Sequence, residues 1–123
     1  MLVDTSAWVE LFIKSDKGKV VRDTLKKEKC YTSIVSISEI SNWASKQNLY
    51  NKDLINIIVA TTEIINLNLD ISKLAGELNY KRKKKIERWG MLDSFILATS
   101  LLYNLKILTK DSHFKDLENV KIL

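Results

Sequence analysis

Met1-Leu2-Val3-Asp4-Thr5-Ser6-Ala7-Trp8 opens the chain, and its reading decides the fold. A short apolar run ends on an acid, and residues 6–14 behind it carry Ala7, Trp8, Val9, Leu11 and Phe12, which reads as a helix joined directly to a first strand. Outward from there the pattern repeats. Residues 17–29 place Val20, Val21 and Leu25 at helical spacing and end in cations, as a helix C-terminus prefers. Residues 31–35 are β-branched and aromatic and predict a second strand. A helix over 36–46 follows, with Ile37, Ile40, Trp43 and Ala44 on one face. Another covers 53–63, with Leu54, Ile57, Ile58 and Thr61 directed inward. Residues 64–69 alternate around Asn66 and Asn68 as a third strand, 70–86 form a long helix, and 91–103 a strongly apolar one. A strand over 106–109, a helical turn over 111–117 and a strand over 120–123 complete the chain. Strands separated by helices require a mostly parallel central sheet, here of about five strands, with helices on both faces: an α/β fold in three layers. With 123 residues, the expectation is one domain over 1–123.

Composition narrows the classes further. Hydrophobic residues make up 46% and charged residues 28%, the balance of a chain that buries a core rather than a disordered one. No apolar run approaches the ~20 residues that cross a bilayer. The start shows no basic segment ahead of an apolar one, and the lone Cys30 cannot pair internally, so the expected compartment is the cytoplasm. Three glycines, Gly18, Gly76 and Gly90, lie too far apart for a phosphate-cradling loop. Twenty Lys and Arg against fifteen Asp and Glu leave a net charge of +5. Much of the excess stands in Lys81, Arg82, Lys83, Lys84 and Lys85, with Arg88 just beyond. Such a block either binds a polyanion or forms a solvated helix face.

Four acids stand out by position. Asp4 ends the first strand, Glu39 falls in the first turn of the helix after the second, Asp93 opens the apolar helix, and Asp111 follows the strand over 106–109. In a parallel sheet all four lie at one edge, where open α/β sheets place their ligand sites. Each acid alone has a structural reading. Asp93 and Glu39 suit a helix dipole, Ser36-Ile37-Ser38-Glu39 is a capping box, and Asp111 caps a turn. Asp4 resists that reading, because a buried Asp is rare without a partner. Four converging carboxylates repel one another unless a cation lies between them. Mg²⁺ or Mn²⁺, held by one or two carboxylates and water, is the natural cation. Such a site activates water against a phosphodiester.

Leu2-Val3-Asp4-Thr5-Ser6-Ala7-Trp8, Ser36-Ile37-Ser38-Glu39-Ile40, Leu92-Asp93-Ser94-Phe95-Ile96-Leu97-Ala98 and Leu108-Thr109-Lys110-Asp111-Ser112-His113-Phe114 resemble, in order and spacing, the four acidic motifs of the PIN domain family. The likeness spans essentially the whole chain, and its size is most similar to the VapC toxins of type II toxin–antitoxin systems. The resemblance implies a PIN-like α/β/α fold and a metal-dependent ribonuclease. Carried over, it makes Asp4, Glu39, Asp93 and Asp111 catalytic, with Asp4, Asp93 and Asp111 holding Mg²⁺ (or Mn²⁺). Glu39 would hold or activate the attacking water. Ser6 and Thr109 would orient carboxylates through their hydroxyls, unless Ser6 is a helix N-cap and Thr109 an ordinary strand residue. Lys81, Arg82, Lys83, Lys84, Lys85 and Arg88 would steer RNA toward the acids.

Trp8, Trp43 and Trp89 read as packing or interface residues ahead of base-stacking ones, His113 as a surface residue, and Asp116 as a surface charge. The toxin likeness also implies an RNA substrate, an antitoxin protein, a homodimer and no membrane. A housekeeping PIN nuclease of RNA processing and a non-catalytic RNA-binding module are the alternatives. A receiver-like phosphoacceptor and a dehalogenase-type phosphatase fail on the residues after the first strand, because Asp4 is followed by Thr5 and Ser6 rather than by further acids.

Overall fold

The computed structural model describes all 123 residues. In chain order the elements are β1 (Leu2–Val3), α1 (Thr5–Phe12), α2 (Asp16–Lys27), β2 (Tyr31–Ser33), α3 (Ile34–Lys46), α4 (Asn51–Thr61), β3 (Glu63–Ile65), α5 (Leu69–Lys85), α6 (Met91–Leu102), β4 (Ile107–Thr109), a 3-10 turn (Ser112–Phe114) and β5 (Val120–Ile122). All strand pairs are parallel, in the order β3-β2-β1-β4-β5. β1 is therefore central, and the chain changes direction across the sheet between β1 and β4, the kind of switch point at which such sheets open a crevice.

The register Leu2↔Ile107 and Val3↔Leu108 sends alternate side chains to opposite faces. Leu2 and Ile107 join Val35, Ile71, Ala75, Trp89, Ile96 and Phe114 on one face. Val3 and Leu108 join Ala7, Trp8, Val21, Ile40 and Ile58 on the other. All four of these strand residues are completely buried, which is why the two runs carry no polar position. α2 lies so close to α1 that a Cβ on Gly18 would stand 2.2 Å from the Glu10 carbonyl oxygen, so glycine is required there by space.

Two boundaries differ from the expected ones, for local reasons. The second strand ends at Ser33, not residue 35, because the Ser33 hydroxyl accepts the Val35 N–H (3.3 Å) and starts α3 early. Glu39 thus stands in the second turn of α3 rather than the first. Ser36 is buried inside the helix and caps nothing, so the capping box is absent. The third strand is three residues long, because Asn68 accepts the Ile71 N–H (2.9 Å) and starts α5. In α4 only Ile58 is buried, and Ile57 and Thr61 face outward.

The basic block divides. Ile71, Ala75, Leu78 and Arg82 follow one another at helical spacing on the inner face of α5, so Arg82 is buried. Its guanidinium donates to both oxygens of Asp116 (2.8 and 3.0 Å) and to the His113 carbonyl oxygen (2.7 Å), and lies over the Trp89 ring at 4.4 Å. Arg82 is therefore not free to meet RNA, and Asp116 is an ion-pair acid rather than a loose surface charge. Lys81, Lys83, Lys84, Lys85 and Arg88 are exposed. Trp89 is fully buried, donates to the Ser94 hydroxyl (2.7 Å) and packs on Phe114.

Arg82→Ala is expected to lower the unfolding free energy by about 2–3 kcal/mol in urea titrations, because charged hydrogen bonds are lost and Asp116 loses its main partner. Lys83→Ala should stay within about 0.5 kcal/mol of the parent. Arg82 and Lys85 hold Asp116 below the usual carboxylate range, so its contribution to stability is full above the unfolded value near 3.8 and is lost only as pH falls below it.

Candidate active site

Asp4 follows β1 directly, and its N–H donates to the Leu108 carbonyl oxygen (2.9 Å), which locks the end of β1 against β4. Asp4 is 7% exposed. Its Oδ2 accepts from the Ser6 hydroxyl (3.0 Å) and the Thr109 hydroxyl (2.7 Å), and those two hydroxyls lie 3.0 Å apart. Ser6 is the second residue of α1 and is not its N-cap, which is Asp4 itself. The Ser6 oxygen also accepts the Lys110 N–H (2.9 Å), and the Thr109 oxygen accepts the Asp111 N–H (3.0 Å). One buried network therefore joins the first and fourth motifs.

Glu39 is half-buried on α3 and accepts from the Thr5 hydroxyl (2.7 Å). Asp93 Oδ2 accepts the Gly90 N–H (2.9 Å) at the start of α6, so the acid in that first turn also caps the helix. Asp111 Oδ1 accepts the His113 N–H (2.9 Å), and His113 Nδ1 lies 3.4 Å from the same atom. Both acids thus carry a structural duty while standing at the same sheet edge as Asp4. Burial is the main cause that raises the pKa of Asp4, Glu39 and Asp93 above the carboxylate range. Mutual repulsion adds to it: Asp93 acts on Asp4 and on Glu39, Asp4 on Glu39, and Asp111 on Asp93.

No Lys or Arg pairs with any of the four. The nearby cations are already occupied. Lys110, inside the fourth motif, is ion-paired with the buried Glu10, which also accepts from Ser15. Arg82 and Lys85 pair with Asp116. The donor set is oxygen only, which suits a hard divalent cation. No three acidic, histidine or cysteine side chains stand close enough together to enclose an ion. The arrangement fits a cation held by one or two carboxylates and otherwise by water, the usual habit of Mg²⁺.

Thr5 went unnoticed in the sequence, although it follows Asp4 at the helix start. Also unnoticed was the cleft of about 390 Å³ beside Glu39, whose walls include Thr5, Val9, Asn42, Trp43 and Leu92. The signal was present: Asn42 and Trp43 stand three and four residues after Glu39, on the same helix face.

A parallel α/β sheet with uncompensated carboxylates at its switch point defines a class of acidic-site proteins. The PIN domain family model matches residues 1–120, and the chain belongs to the PIN domain family. No curated protein matches the chain. Among solved structures, a toxin–antitoxin complex from Klebsiella pneumoniae is 22% identical, with a TM-score of 0.79 over 98% of this chain and 94% of that one. VapBC2 from Rickettsia felis, bound to a DNA fragment from its promoter, is 20% identical, with a TM-score of 0.75 over 99% and 96%. VapC20 from Mycobacterium tuberculosis, described as a sarcin-ricin loop cleaving toxin, is 14% identical, with a TM-score of 0.78 over 95% and 94%. At these identities the likeness is one of fold. No helix is long and apolar enough to cross a membrane.

Asp4→Asn removes one like charge from the cluster and keeps an acceptor for Ser6 and Thr109. The expected result at pH 7 is a thermal midpoint equal to or above that of the parent. A large loss of stability would make the charge of Asp4 structural.

Proposed function

We propose that this chain is a Mg²⁺- or Mn²⁺-dependent endoribonuclease, the toxin of a type II toxin–antitoxin pair acting in the cytoplasm. The observation that carries the reading is a set of four carboxylates at one sheet edge, three of them raised by burial, left without a Lys or Arg partner in a chain of net charge +5. Asp4 and Asp93 would hold the cation, with Asp111 beside them. When bound, that cation would neutralise the cluster and polarise the scissile phosphodiester. Ser6 and Thr109 keep the Asp4 carboxylate in one orientation. Glu39, steered by Thr5 and with its pKa raised chiefly by burial, takes a proton from the attacking water. Lys81, Lys83, Lys84 and Arg88 supply exposed positive charge for the RNA backbone, beside Lys85, which is exposed but paired with Asp116. The toxin–antitoxin complexes that share the fold support a protein antitoxin as partner, and the proposed working form is a homodimer.

Two measurements test this. Wild-type protein is expected to cut cellular RNA in Mg²⁺ or Mn²⁺ and to stop on addition of EDTA, and Asp93→Asn should abolish cutting at unchanged fold. Growth arrest on expression would favour a toxin over an RNA-processing enzyme. Independently, millimolar Mn²⁺ should raise the thermal midpoint by several degrees, since it binds only the folded state. No shift would remove the metal from the reading.

A further inference from the structure

Beyond cutting RNA, the site has to hold the nucleotide it cuts, and the inference here rests on the ribonuclease reading. The cleft of about 390 Å³ shares Thr5 and Glu39 with the acidic cluster, so whatever fills it lies against the reacting groups. Its remaining wall is formed by Val9, Trp43 and Leu92, with the exposed side chains of Ser38 and Asn42 among them. Of the three tryptophans, Trp8 and Trp89 are completely buried, and only Trp43 meets solvent. It is held in place from the core side. Trp8 stacks on Phe12 at 5.7 Å and Phe12 on Trp43 at 6.5 Å, each pair inclined by 19°.

We propose that this cleft is a nucleobase subsite, which takes one unstacked base of single-stranded RNA next to the scissile phosphate. Proteins that read single strands do so by splaying bases onto aromatic rings and reading their edges with amides. A base is uncharged, so it can sit beside Glu39 where a second phosphate or an acidic side chain would be repelled. A ring already fixed by a stack loses little freedom on binding. Trp43 supplies the stacking face, and Asn42 supplies a donor and an acceptor that distinguish one base edge from another.

The test uses Asp93→Asn protein, so that RNA stays intact, and single-stranded oligonucleotides with 2-aminopurine placed at successive positions. Binding should quench the fluorophore at one position. Trp43→Leu in the same background should abolish that quench and weaken binding about 5- to 100-fold, while Trp43→Phe restores most of both. Asn42→Ala, a surface change that leaves the ring stack alone, should alter the preference among the four bases at the quenched position. It decides the matter should Trp43→Leu fold poorly. Metal-dependent cleavage by the wild type, with no quench at any position and equal affinity in all variants, overturns the subsite and leaves the ribonuclease reading standing. No cleavage by the wild type overturns both. Unchanged RNA affinity with loss of self-association in Trp43→Leu would assign the cleft to a second copy of the chain and overturn the proposal.

Discussion

Asp4 ends the middle strand of five with 7% of its surface exposed, and a carboxylate in that position is costly to ionise unless donors or a cation offset the lost water. Much of the surrounding structure supplies the donors. Ser6 arrives from the first turn of α1 and Thr109 from the end of β4, and both bond the same oxygen. The backbone N–H groups of Lys110 and Asp111 then hold those hydroxyls in turn. The order β3-β2-β1-β4-β5 makes this possible, since it sets the first and fourth motifs side by side although they are more than a hundred residues apart. Glu39 and Asp93 complete the edge from α3 and α6, and Asp93 raises the cost of ionising both Asp4 and Glu39.

The distribution of cations complements that cost. A chain with a surplus of Lys and Arg has the means to neutralise four acids internally, and it does not. Glu10, buried one and a half turns beyond Asp4, pairs with Lys110, the cation closest in sequence to Asp111. Asp116 takes Arg82 and Lys85. The Arg82 pair has a second effect. Through the His113 carbonyl it ties α5 to the 3-10 turn, and the N–H of the same His113 donates to Asp111, so a residue of the basic block positions an acid of the site. Local pairing elsewhere leaves the four acids without a Lys or Arg partner.

A good part of this was legible in the chain itself. Leu2-Val3 and Ile107-Leu108 have no polar position because both faces of a central parallel strand are covered, and that pattern needs no coordinates to read. The α/β alternation, the parallel sheet and the placing of the four acids at strand ends or helix starts follow from it. The readings that failed were those in which two local signals compete. Ile34 and Val35 are good strand residues, yet the Ser33 cap turns them into helix. Five cations in a row look like one patch, yet a helix turns 100° per residue and directs Arg82 inward behind Ile71, Ala75 and Leu78.

The sequence by itself therefore determined the elements, their order and the identity of the four acids, since these depend on periodicity and on neighbours a few residues away. Only the tertiary structure decided which hydroxyl meets which carboxylate, that Arg82 belongs to Asp116, and that Trp43 and Thr5 border one cleft with Glu39. Those pairings join residues up to 105 positions apart. They arise from the sheet order and from the angles at which helices cross it, and no local pattern encodes either.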